Sequence, residues 1–143
     1  MKVVDANVLL YAVNRDAPHH LSARKWLDGA LSGDEAVGFA WMVLLAFLRL
    51  ATRQGIFPRP LTLEQAAGVL EAWLTRPVAV LVEPTSRHLG VLSGLLEPLG
   101  TGGNLVADAH LAALAVEHGA EVVSFDRDFS RFPGVRWRTP PAD

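Results

Sequence analysis

Residues 104–126, NLVADAHLAALAVEHGAEVVSFD, decide the fold. Leu105, Leu111, Ala112 and Ala115 recur at three- and four-residue spacings, so the first part of the stretch reads as a helix with a core-facing stripe. Gly119 can take the left-handed conformation and closes the helix after His118. Glu121 to Ser124 then reads as a strand. A long helix feeding straight into a strand is the signature of a crossover unit in a parallel sheet. Asp108 lies on the apolar stripe, where a carboxylate is costly unless paired or metal-bound. Asp126 follows the strand by two residues.

Upstream, the same alternation repeats. Lys2 to Val4 reads as a buried first strand ending at Asp5, and Val8 to Val13 as a helix. Leu21, Ala23, Trp26, Leu27, Ala30 and Leu31 mark an amphipathic helix from His20 to Leu31. A short strand at Ala36 to Ala40 precedes a buried helix at Trp41 to Arg53. Past Pro58 and Pro60, Thr62-Leu63-Glu64-Gln65 has the form of a capping box, opening a helix to about Leu74. Val78 to Val82 reads as a strand and Thr85 to Leu96 as a helix ended by Pro98 and Gly100. Gly102-Gly103-Asn104 opens the helix that carries Asp108, with Asn104 as its cap, and Val135 to Arg138 reads as a last edge strand. The expectation is an α/β fold, one domain over residues 1–143, with a small, mostly parallel sheet flanked by helices.

Composition narrows the chemistry. Half of the 143 residues are apolar, enough for a continuous core, and cysteine is absent, so any metal must use oxygen or imidazole ligands. The formal charge of −2 lacks the broad basic footprint of a protein that grips nucleic acid through phosphate neutralisation, so any such contact is local. No run approaches the roughly 20 apolar residues of a membrane span, and Asp5 stands where a signal peptide would be apolar. A cytoplasmic protein is expected.

Parallel strands bring Asp5 and Asp126 to the carboxyl edge of the sheet, where such sheets bind ligands, and the first turn of the Asp108 helix reaches the same edge. Taken singly, Asp5 reads as a helix cap, Asp108 as a buried acid paired with an Arg, and Asp126 as an Asx-turn residue. Taken together they are hard oxygen donors suited to Mg²⁺, with Mn²⁺ as a substitute. Asn7 and Ser124 stand two residues from Asp5 and Asp126 and, with Asn104, are candidates to orient the acids; Asp128 reads as a solvated turn residue. Arg49 and Arg127 are candidate contacts for RNA or for a protein partner, and none of the five histidines is assigned to a metal. Val43, Leu44, Phe47, Leu70 and Trp73 are either core or an apolar surplus that a partner covers.

Four segments in order carry a family resemblance: Val4-Asp5-Ala6-Asn7-Val8-Leu9-Leu10-Tyr11, the helix Trp41 to Thr52, Gly103-Asn104-Leu105-Val106-Ala107-Asp108-Ala109-His110-Leu111-Ala112, and Ser124-Phe125-Asp126-Arg127-Asp128-Phe129. Over almost its whole length the chain resembles the PIN-domain family, and within it the VapC toxins, nearest the mycobacterial-type branch. The resemblance implies a three-layer fold, Mg²⁺-dependent endoribonuclease activity on tRNA or ribosomal RNA, a toxin homodimer, and inhibition by a VapB-like antitoxin in a hetero-oligomer. It also implies an antitoxin segment lying over the acidic groove, with an Arg paired to two carboxylates. Many members carry a Glu before the Phe-Leu-Arg of the central helix, where this chain has Ala46, so the site has one carboxylate fewer. The smooth helical run Leu45 to Leu50 favours a natural subfamily variant over an engineered change.

Two other functions compete. An aspartyl phosphotransferase also places an Asp after the first strand, but it needs a late Lys to neutralise the phosphate, and no Lys follows Lys25. A non-catalytic PIN-like module binding RNA or protein draws its support from Ala46.

Overall fold

A computed structural model describes residues 1–142. Its elements are β1 (Lys2–Val4), α1 (Ala6–Val13), α2 (His20–Leu31), β2 (Val37–Phe39), α3 (Trp41–Ala51), α4 (Leu63–Leu74), β3 (Ala79–Leu81), α5 (His88–Leu96), α6 (Val106–Glu117), β4 (Glu121–Val123) and β5 (Trp137–Arg138). The sheet order is β3-β2-β1-β4-β5, and every pairing is parallel. Register aligns Lys2 with Val37 and Glu121, and Val123 with Arg138, so the strands begin and end together. That alignment gives the sheet a single carboxyl edge.

Local sequence accounts for most of the element boundaries. The Thr62 hydroxyl accepts from the Gln65 backbone at 3.1 Å while the Gln65 side chain accepts from the Thr62 backbone at 3.0 Å, completing the expected capping box of α4. Gly119 takes φ +63° and ends α6, a conformation that L side chains rarely adopt. In β2 a side chain at Gly38 would meet Val82 at 3.0 Å and Val3 at 3.2 Å, so the bare backbone is what lets neighbouring side chains close over the strand. The core gathers Phe39, Phe47, Phe129, Leu9, Leu27, Leu44, Leu111 and Leu114 from both faces of the sheet, all fully buried.

Some expectations need correction. Asn104 does not cap the Asp108 helix: it sits exposed in a 3-10 turn, Gly103–Leu105, and Leu105 occupies the cap position without a side-chain bond. The turn is set by Gly103 at φ +46°, which redirects the chain before α6 begins. Val43, Leu44, Phe47 and Leu70 are core, and Trp73, partly buried, meets Phe47 edge-on with ring centroids 5.4 Å apart. The apolar side chains left exposed on α3 are Trp41 and Leu45 instead.

The expected start of α5 at Thr85 also shifts, because Thr85 is engaged elsewhere. Its backbone N–H and hydroxyl both donate to Glu117 Oε1, at 2.9 and 2.6 Å, and His88 Nδ1 donates to Glu117 Oε2 at 2.5 Å. The far side of the His88 ring shares a hydrogen bond with His110 at 2.8 Å, tying α5 to α6. Burial alone would raise the Glu117 carboxyl, but the Thr85 and His88 hydrogen bonds outweigh it and hold it below the usual range. A depressed folded-state pKa contributes stability that is present above the ordinary carboxylate range and lost as pH falls through it. Glu117→Ala is expected to cost about 2–4 kcal/mol in urea unfolding at pH 7, since it strips the acceptor from three donors at a fully buried side chain. An unchanged midpoint would show that this junction holds nothing together.

Candidate functional site

The candidate site is built on the carboxyl edge. The Asp5 N–H donates to the Val123 carbonyl at 3.0 Å, continuing the β1–β4 ladder by one residue. Asp5 then turns the chain into α1, and its Oδ1 accepts from the Ala6 N–H at 2.7 Å. Its Oδ2 accepts from the Ser124 hydroxyl at 2.7 Å and from Asn7 Nδ2 at 3.4 Å. The capping reading of Asp5 and its place at the sheet edge are therefore one and the same geometry.

Ser124, fully buried, is the hub. Besides donating to Asp5, its oxygen accepts from Asn7 Nδ2 at 3.1 Å and from the Asp126 N–H at 3.0 Å. Asn7 Oδ1 accepts from the Phe125 N–H at 3.1 Å, so the loop after β4 is stitched to the start of α1 by side chains. Asp126 makes the expected Asx turn, its Oδ1 accepting from the Asp128 N–H at 2.9 Å. That turn opens a short 3-10 segment, Arg127–Arg131, which swings Asp128 back over the edge.

One oxygen each from Asp108, Asp126 and Asp128 lies within 4.8 Å of the others. Asp128, a solvated turn residue by its sequence context, is indeed half-exposed, yet it stands inside this acidic group. Asp5 is not one of the three, although its charge is felt at Asp108. Asp108 occupies the first turn of α6, a helix in which Ala109 and Leu111 to Ala115 are buried and which packs on α5, β1, β4 and the 3-10 segment. Partial burial, then the charges of Asp126 and Asp5, push the Asp108 carboxyl up to about 7. Burial also raises Asp5, opposed by the Ser124 and Ala6 hydrogen bonds.

The reading of Asp108 as paired with an Arg does not hold: among the described residues the sole ion pair at these acids is Arg131 with Asp128, at 3.9 Å. Three hard oxygen donors, with only one exposed Arg near any of them, form a donor set that fits a divalent cation. Arg127 is exposed beside Asp126, while Arg49 is exposed on α3. Ala46 is half-buried on α3, one residue before fully buried Phe47.

The family model described as PIN domain matches residues 2–135. The chain is 63% identical over 142 residues to Ribonuclease VapC37 of Mycobacterium tuberculosis, covering 99% of each. It is 42% identical over 141 residues to Ribonuclease VapC31 of the same organism, again covering 99% of each. Of solved structures, VapBC2 from Rickettsia felis bound to promoter DNA superposes with a TM-score of 0.70 at 20% identity, covering 96% of this chain and 97% of that one. Mycobacterium tuberculosis VapC20, a Sarcin-Ricin loop cleaving toxin, superposes with a TM-score of 0.65 at 21% identity, covering 95% and 99%. The five-stranded parallel sheet, its acidic carboxyl edge and these matches lead to one conclusion: the chain belongs to the PIN-domain family.

Proposed function

We propose that this chain is the toxin of a type II toxin–antitoxin pair, an endoribonuclease that depends on a divalent ion, with Mg²⁺ the expected ion and Mn²⁺ able to replace it. The observation that carries the proposal is Asp108, a carboxylate held half-buried against two others with no basic partner of its own. Close relatives named as ribonucleases support the substrate class. The chemistry that the bound ion supplies is polarisation of a phosphate and activation of a water. Asp108, Asp126 and Asp128 would hold the ion, and Asp5, locked by Ser124 and Ala6, would fix the floor of the site. Asp128 offers an oxygen ligand that offsets the carboxylate missing at Ala46.

The phosphotransferase alternative meets a further obstacle. Lys2, at the opposite edge of the sheet, is held by Glu121 at 2.6 Å, so it cannot neutralise a phosphate on Asp5. A VapB-like antitoxin is the proposed partner. An apolar groove of about 310 Å³ between α3 and α4, walled by Trp41, Leu44, Leu48, Leu70 and Leu74, offers it a surface. Among the described residues no helix is long and apolar enough to cross a membrane.

The deciding experiment incubates end-labelled RNA with the purified chain in Mg²⁺, in EDTA, and with the Asp126→Asn variant. Cleavage in Mg²⁺ alone by the parent protein is the expected result. RNA retained intact but bound would favour the non-catalytic module.

A further inference from the structure

A second concavity beside the acids is not used by the chemistry above. It has a volume of about 460 Å³, within the roughly 300–1,000 Å³ range of small-ligand sites, and His19, Phe125, Arg127, Thr139 and Pro140 line it. Thr139 and Pro140 follow β5, which is parallel to β4, so the pocket opens on the same carboxyl edge as Asp126. The Ser22 hydroxyl donates to the Pro141 carbonyl at 2.6 Å and holds this tail against α2.

One wall is aromatic. The His19 and Phe125 rings are stacked, with centroids 4.6 Å apart and planes 16° from parallel. Tyr11 backs Phe125 at 5.3 Å. Phe125 lies between Ser124 and Asp126, and its N–H is held by Asn7, so the ring is fixed by the hydrogen bonds that set the acids. Next to Asp126 on the other side, the exposed Arg127 makes no ion pair among the described residues. Flat rings beside a guanidinium suit an unstacked base and its phosphate: stacking accepts any base, and a guanidinium pairs with phosphate in a forked geometry.

Building on the nuclease reading, we propose that this pocket seats the base of an unpaired nucleotide flanking the scissile phosphate. The base stacks on the open face of the His19 ring, whose other face Phe125 covers, and Arg127 takes the adjoining phosphate. The pocket thereby selects single-stranded RNA, because a base held in a duplex cannot reach the rings.

The test uses the full chain in EDTA, where cleavage does not compete, and a uridine hexanucleotide carrying one 2-aminopurine. Wild-type protein is expected to quench the probe on binding. His19→Ala should weaken binding about tenfold and leave the bound probe bright, since the variant lacks the ring on which the base stacks. His19→Tyr should restore quenching, and Arg127→Ala should weaken binding while the bound probe stays quenched. Failure of the wild type to bind the probe, or equal affinity and quenching in His19→Ala, overturns the proposal. So does a His19→Ala variant that loses the protein encoded by the neighbouring gene while keeping the probe, which would assign the pocket to a protein partner. Cleavage of labelled RNA in Mg²⁺, measured in parallel, separates the two readings: a quenched probe without cleavage sinks the nuclease and keeps the pocket, and cleavage with no effect at His19 does the reverse.

Discussion

Asp108→Asn is expected to abolish cleavage and, at the same time, to make the metal-free protein more stable at pH 8. The loss of activity follows from removing one of the three clustered carboxylates proposed to hold the ion, and should reach on the order of a hundredfold or more in kcat. The gain in stability follows from linkage. The carboxyl titrates near 7 in the fold and near its ordinary 3.8 when unfolded, so between those values the folded chain holds a proton that the unfolded chain has released. Stability therefore falls as pH rises from about 4 to about 7 and levels off above. An amide carries no such penalty. Calorimetric Tm measured in EDTA at pH 5.5 and 8 should fall with pH in the wild type and fall less in the variant. Added Mn²⁺ should raise the wild-type Tm more at pH 8 than at pH 5.5, and should leave the variant nearly unmoved. Parallel pH slopes in the two proteins would remove Asp108 from the acidic group.

Ser124→Ala should damage stability and activity together. The hydroxyl is fully buried, donates to Asp5 Oδ2 and accepts from Asn7 and the Asp126 N–H. Its removal leaves a buried N–H and a buried carboxylate oxygen short of partners, a cost of about 2–3 kcal/mol. Ser124 is also the strongest influence holding the Asp5 carboxyl down against burial, so the variant's Asp5 should stay protonated to higher pH. Urea unfolding at pH 7 reads the first effect. The second appears as an alkaline displacement of the acid limb of the kcat/KM profile, together with a roughly 10–100-fold loss at neutral pH. A variant of normal stability and unshifted profile would show that the acids hold their places without the hub.

Much of this arrangement can be read from the residue order. The helix at His20–Leu31 matches its apolar stripe, the capping box of α4 is spelled out in Thr62 and Gln65, and Gly119 marks the end of α6. These features are local, and local chemistry sets them. The shared edge for Asp5, Asp108 and Asp126 follows from strand alternation alone. Asp128 escapes that logic because its position depends on the 3-10 turn after Asp126, which folds a solvated-looking residue back over the sheet. The Asp-x-Asp spacing with an Asx turn was the available signal. Asn104 does not act as the cap its position suggests because Gly103, in the left-handed conformation, breaks the helix start. The Glu117–His88–His110 chain joins residues on separate helices, and no spacing within either helix announces it. The surface reading of Val43, Leu44 and Phe47 failed because α3 is packed between α1 and α4, burying the face that looked surplus.

The double duty of Asp5 bears on how such a chain can be disarmed by mutation. A lineage poisoned by its own toxin survives by inactivating it, and the routes open to it are unequal. On the proposed function, losing Asp108 should relieve repulsion and leave an intact, inert protein whose partner-binding surface is unchanged. Losing Asp5 also unfastens the first helix from the loop that follows β4, so the product is exposed to proteolysis. Among survivors of toxin expression, codon changes at Asp108 should leave full-length protein in the cell, and those at Asp5 should deplete it. If the proposed antitoxin partner is right, the two genotypes should differ in inheritance: the first should compete with any intact copy of the toxin for that partner, and the second should vanish without dominance.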